Sequence, residues 1–204
     1  MVKPRQLIEE SEGEEYLHKV VWRVVQRQID YAERNPKGAL YDDLAAMVFA
    51  FQALEGYLNF AGEKIAPDLW RDEKSQFSND GIAGKLAAIC ECCGLAPPDY
   101  GRRPYRTVRE LKKLRNTVAH PRPLKIGGTV KYDERKPPPL FERPYLSKMV
   151  DHRRAMRARD DVKDITCQIH AAARQKFPAA HLGPDALDGI MSMRTSTIRL
   201  WEGD

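Results

Sequence analysis

The stretch LYDDLAAMVFAFQALEGYLNFAGEKI, residues 40–65, decides the fold class. Leu44, Met47, Val48, Phe51, Leu54, Leu58, Ala61 and Ile65 recur at spacings of three and four, which places them on one face of a long α-helix. Pro67 ends that helix, and Asn35-Pro36-Lys37-Gly38 separates it from the segment before it. There, Leu17, Val20, Val21, Val24, Val25, Gln28 and Ala32 follow the same spacing, and Ser11 with Glu14 reads as a capping box at the start of a first helix.

Working toward the C-terminus, Ser78-Asn79-Asp80 offers N-cap oxygens to a third helix. Ile82, Leu86, Ile89, Cys90 and Cys93 form its apolar face, and Gly94 is placed to cap its end. A fourth helix over about Arg106–Ala119 carries Val108, Leu111, Leu114 and Val118, and Pro121 stops it. Residues 121–147 hold six of the 14 prolines and the Gly127-Gly128 pair, a long basic loop in which 124–132 could form a short hairpin. A fifth helix is expected from about Ser147 to Phe177. Residues 178–204 read as a C-terminal appendage, with Thr195–Trp201 as a candidate strand. The sequence therefore predicts a single all-α domain over residues 1–204, an antiparallel bundle of four to five helices with a long basic proline-rich loop.

Composition bounds the function. No run of about 18 apolar residues suggests a membrane span, and the N-terminal segment lacks the apolar core of a secretion signal, so a cytoplasmic location is expected. Cys90, Cys92 and Cys93 crowd one helix while Cys167 stands apart; two separated C-x-x-C pairs and histidines at matching spacing are absent, so reduced thiols are expected, with neither metal nor cofactor. The net charge of +5 is unevenly spread: Gly101–Lys148 holds 14 Lys and Arg against 4 acids, a balance of +10, leaving −5 for the rest. One strongly basic segment on a folded domain attracts polyanions, though a solvated loop would have the same composition.

The fourth helix carries an anomaly. At about 100° per residue, Arg115 falls about 340° round from Val108, inside the apolar arc. A guanidinium there needs an anionic partner or a cleft. Glu55 and Asn59 are a matching irregularity, four apart within or beside the stripe of residues 40–65, and Glu55 is a natural counter-ion for Arg115. A structural ion pair without chemistry would account for the same pattern. His120 lies about 140° beyond Arg115 on an ideal helix, so the two converge only if the chain bends before Pro121. Asn116 and His120, four apart, are neighbours.

ELKKLRNTVAHP, residues 110–121, resembles the signature of HEPN domains, and FQALEGYLNFAG, residues 51–62, resembles the long helix of the same family. The resemblance spans roughly residues 15–175. It implies a helical bundle that often dimerises and, in many members, cleaves RNA without metal. By that resemblance His120 transfers protons, Arg115 meets the phosphate, Asn116 orients or contacts it, and Glu55 positions Arg115. The chemistry suits these residues: histidine titrates near neutrality, and a fixed arginine stabilises the charge of a phosphorane-like transition state. One chain supplies one such histidine, so a two-fold dimer is expected to bring acid and base together.

Arg102, Arg103, Arg106, Arg109, Lys112 and Lys113 before the motif, and Arg122, Lys125 and Lys131 after it, are candidates to hold the RNA backbone. Tyr100, Tyr105 and Tyr132 are candidates to stack on bases, with packing as the plainer role. His152, His170 and His181 are expected to be bystanders. Three readings stay open: a metal-independent endoribonuclease of the toxin or phage-defence type with an antitoxin or nucleotidyltransferase partner; a module binding RNA, nucleotide or protein without cleaving; and an unrelated scaffold in which Arg115 and Glu55 form a structural pair.

Overall fold

A computed structural model describes residues 7–123, 131, 133–136, 145–189 and 191–200. The protein is mostly helical. Strand β1 (Leu7–Glu15) precedes helices α1 (Leu17–Arg34), α2 (Ala39–Ile65), α3 (Pro67–Trp70), α4 (Glu73–Gln76), α5 (Ile82–Cys93), α6 (Tyr105–Ala119), α7 (Tyr145–Met149) and α8 (His152–Lys176), and strand β2 (Met191–Leu200) comes last.

Helix α2 is the centre. Ala46, Ala50, Phe51, Ala53, Leu54, Tyr57, Leu58 and Ala61 are all buried, and α1, α5, α6 and α8 pack around it. A helix apolar on most sides is stable only when surrounded. Leu54, wholly enclosed, illustrates the dependence: trimming it to alanine is expected to cost about 2–5 kcal/mol. An 18-residue window of this helix reaches a mean hydropathy of 1.3 and so passes a length-and-composition test for a membrane span, a test that a buried core helix also passes. Its alanines let neighbours approach closely, and at Gly62 a methyl group would collide with the indole of Trp70 on α3. Gly38, with φ +93°, makes the tight turn from α1 into α2 that only glycine adopts without strain.

The helices are not antiparallel throughout. Asp43 near the start of α2 bonds His152 at the start of α8, and Tyr57 further along α2 bonds His170 further along α8, so these two helices run the same way.

Several expectations are corrected. Ser11 and Glu14 do not cap a helix. They lie in β1, which pairs antiparallel with β2 from Leu7 opposite Leu200 to Glu15 opposite Met191, with an irregularity between Glu12 and Gly13. The mostly helical fold thus carries one two-stranded ribbon, and the strand expected at Thr195–Trp201 begins earlier, at Met191, with Trp201 outside the described residues. Lys64 Nζ donates to Glu14 Oε1 at 2.8 Å and ties the strand pair to the end of α2. In α1, His18, Lys19, Trp22 and Ile29 face inward while Leu17 is 65% exposed, so the buried face is rotated from the one the spacing suggested. No side chain of Ser78, Asn79 or Asp80 caps α5, which starts from Gly81. Gly94 does end α5 in the left-handed conformation, with Leu95 N bonded to Cys90 O. The expected fifth helix is divided: α7 ends at Met149, and Asp151 opens α8 by accepting from Arg154 N at 2.9 Å. The possible hairpin at 124–132 falls outside the described residues apart from Lys131.

The segment after α8 is more than an appendage. Leu182, Ala186 and Leu187 are buried in the core, and their backbone serves polar groups of α1 and α8. His18 Nε2 donates to Ala186 O at 3.2 Å, and Lys19 Nζ donates to the carbonyls of Asp185 and Asp188 at 2.9 and 2.7 Å. His170 Nε2 donates to Gly183 O at 3.2 Å and faces the Tyr57 hydroxyl through Nδ1 at 3.4 Å.

Candidate nucleic-acid site

Helix α6 is positioned from its own N-terminal side. Asp161 on α8, almost fully buried, accepts from Arg103 Nη2 at 2.6 Å and Nε at 3.1 Å, and from the Thr107 hydroxyl. These bonds fix the start of α6, and Val108, Leu111 and Leu114 then face the core. The Arg103 guanidinium, held above its ordinary pKa by Asp161, is thereby committed to the fold. About half of its side chain stays exposed beside that anchor. Arg102 and Arg106 are also paired, with Asp99 and Glu110, each at 3.0 Å on the surface.

Three of the expected backbone contacts gather on the outer side of α6. Arg109, Lys112 and Lys113, with Asn116 and Thr117, line an open groove of about 490 Å³. Arg122 is exposed just beyond the helix, and so is Lys131, whereas Lys125 and Tyr132 lie outside the described residues.

Arg115 lies at the border of the apolar face of α6 rather than inside it, where the angular placement had put it. Its Nη2 is 3.7 Å from Glu55 Oε2, its guanidinium carbon is 5.1 Å from the centre of the Phe51 ring, and its Nη1 donates to Asn116 Oδ1 at 3.2 Å. The side chain is still 35% exposed, so it combines three anchors with an open side. Glu55 holds more than Arg115. Its other oxygen, Oε1, is 4.0 Å from Lys85 Nζ, and Lys85 in turn donates to Asn59 Oδ1 at 2.8 Å and to Glu73. Sequence reasoning missed Lys85. The signal was available, since Lys85 falls within the α5 stripe between Ile82 and Leu86, where a lysine needs a counter-ion.

The structure thus brings Arg115, Asn116 and Glu55 together. It does not bring the His120 side chain to them. The chain leaves helical geometry at His120, with φ −126° and ψ 64°, and its N–H bonds Asn116 O at 3.1 Å. The imidazole is exposed and has no side-chain partner among the described residues.

The tyrosines are corrected. Tyr100 and Tyr105 meet edge to face at 6.2 Å and pack against the core, and burial pushes both phenols up to about 12. They are not offered to bases. His152 is bonded to buried Asp43 at 2.9 Å, and His170 to Tyr57 and Gly183 O, both structural placements. Burial raises the Cys90 and Cys93 thiols, the latter to about 11, which keeps them protonated and unreactive. Among the described residues no three His, Cys, Asp or Glu side chains are grouped as metal ligands would be.

No family model, no curated protein and no solved structure matches the chain.

Proposed function

We propose that the protein is a metal-independent endoribonuclease of the HEPN kind, acting as a homodimer. The observation that carries this reading is Arg115: a guanidinium anchored by Glu55, Phe51 and Asn116 yet open on one side, five residues before an exposed His120 at the end of a basic helix. Cleavage by a ribose 2′-hydroxyl requires fixed positive charge and a group that moves protons near neutrality, and Arg115 offers the first and His120 the second. The 2′-oxygen attacks phosphorus while its proton passes to one His120. The 5′-oxygen leaves, taking a proton from His120 of the second copy, and the product ends in a 2′,3′-cyclic phosphate. Arg115 meets the non-bridging oxygens, Asn116 orients them, and Glu55 holds Arg115 in place. Arg109, Lys112, Lys113, Arg122 and Lys125 carry the strand, inside a cytoplasmic toxin or phage-defence effector paired with an antitoxin or nucleotidyltransferase.

One observation favours a second reading, a module that binds RNA, nucleotide or protein without cleaving: the imidazole of His120 has no orienting partner among the described residues. The deciding experiment incubates purified protein with mixed single-stranded RNA in EDTA, comparing wild type with His120→Ala. Cyclic-phosphate product from the wild type alone is expected. RNA that survives both proteins but shifts on a native gel would replace the nuclease by the binding module.

A further inference from the structure

A cleft of about 270 Å³ lies where α6, α7 and α8 meet, sharing Lys113 with the outer groove of α6. Five cationic side chains line it, Arg106, Lys113, Lys148, Arg154 and Arg157, against a single acid, Glu110. Some of this charge is answered. Arg106 pairs with Glu110 at 3.0 Å, and Arg154 pairs with Asp151 at 3.3 Å while donating to the Lys148 carbonyl. Arg157 is half-buried and Lys113 is exposed, and neither has an acidic partner among the described residues. The remaining lining is apolar, from Met47, Leu114 and Met149.

Like charges gathered on one concave surface repel each other, so folding alone gives no reason to assemble them. A cleft with one sign of charge and low-dielectric walls also concentrates the field on whatever anion enters. Three arginines favour an oxyanion with several acceptor oxygens, because the planar fork binds such groups at two points. The volume is close to the lower limit of about 300 Å³ for ligand pockets, enough for one or two phosphates and an attached sugar.

We infer that this cleft binds phosphate groups, at a site distinct from Arg115 and His120. Two sources share that chemistry: the phosphodiester backbone of a single RNA strand, and the phosphate chain of a free nucleoside triphosphate. Lys113 lines both the cleft and the outer groove of α6, so one strand can be followed from the groove into the cleft without a break in positive charge.

The test titrates the full-length protein at low salt with ATP and, separately, with a short 2′-O-methyl RNA that a 2′-hydroxyl mechanism cannot cleave. Wild type is compared with Arg157→Gln, with Lys113→Gln, and with Lys74→Gln as an exposed charge control on α4. Arg157→Gln is expected to weaken binding roughly tenfold, the worth of one charge-assisted hydrogen bond, with Lys74→Gln unchanged. Weakening toward ATP assigns the cleft to a free nucleotide, and weakening toward RNA alone assigns it to the strand. Lys113→Gln alters an exposed side chain that folding does not need, so its ATP titration answers if Arg157→Gln fails to fold; its RNA titration also reads the outer groove that Lys113 shares. The inference is overturned if wild type binds neither probe, or if Arg157→Gln and Lys113→Gln bind both as wild type does. Because the RNA analogue cannot be cleaved, this result is independent of whether Arg115 and His120 form a nuclease.

Discussion

Lys85 Nζ donates to Asn59 Oδ1 at 2.8 Å from a side chain only 5% exposed, within the same cluster that holds Arg115 through Glu55. Glu73 and Glu55 complete its surroundings, each about one-third exposed. Removing a buried cation leaves its partners unanswered, which costs about 3–5 kcal/mol when both sides are fully enclosed. Solvent reaches the two glutamates here, so Lys85→Ala is expected to lower stability by about 2 kcal/mol, and Lys85→Met, which keeps the apolar stem, by less. Urea unfolding followed by circular dichroism measures both. Equal midpoints for Lys85→Ala and wild type would show that the cluster holds Arg115 without stabilising the fold.

If acid and base come from the two copies of His120, activity depends on pairs of intact chains. After equal amounts of wild type and His120→Ala are unfolded together and refolded, random pairing leaves roughly one quarter of dimers with both histidines. Cleavage per total protein is then expected to fall to about one quarter of the pure wild-type value rather than to one half. A value of one half would mean each chain acts alone and would remove the dimeric mechanism. His120→Ala itself is expected to unfold within about 0.5 kcal/mol of wild type, because its side chain is exposed.

How much of this was legible in the sequence depends on where each cause lies. The positions of α2, α5 and α6 follow from apolar spacing and from residues at their ends such as Gly94 and Pro121, all within one helix length. The approach of Arg115 to Glu55 was legible for a related reason: each is a charge set at the edge of an apolar stripe, and such charges need each other. Ser11 and Glu14 misled because the pattern of a capping box is local, whereas what makes Leu7–Glu15 a strand is β2, more than a hundred residues away. His18 and Lys19 look like surface residues until the carbonyls of residues 185–188 arrive to satisfy them. The break between α7 and α8 did carry a local sign, Asp151 as an N-cap, which the apolar spacing across it concealed.

The outer face of α6 supports a prediction about salt. Arg109, Lys112 and Lys113 line one open groove, and a cation that contacts a phosphate releases counterions when it binds. For single-stranded RNA, each such contact contributes about −0.7 to the slope of log affinity against log salt concentration. Arg109→Gln is expected to make the slope shallower by about that amount while weakening all sequences alike. Fluorescence anisotropy across a salt series reads it. An unchanged slope would remove Arg109 from the binding path.

Acid should loosen the docking of residues 182–188. Burial, helped by the neighbouring charge of Lys19, holds His18 down from its ordinary value to about 4, and burial also lowers His170. Tyr57, Lys19, Arg174, Asp185 and Asp188 are further titratable groups at this junction, and Asp185 is itself lowered by bonds from the Leu187 and Asp188 N–H groups. His170 donates through Nε2 to Gly183 O, leaving Nδ1 as the acceptor for Tyr57, an arrangement that protonation of Nδ1 would break. The unfolded chain binds protons on these histidines near pH 6.5, while the folded chain does not until near pH 4 for His18. Stability is therefore complete above about pH 6.5 and declines as pH falls from there toward 4, by about 3 kcal/mol from His18 alone. His18→Gln keeps a donor for Ala186 O without a titrating proton, so its stability should fall less steeply over the same interval. Denaturant midpoints taken every half unit of pH for both proteins measure the difference, and parallel curves would show that His18 is not the group responsible.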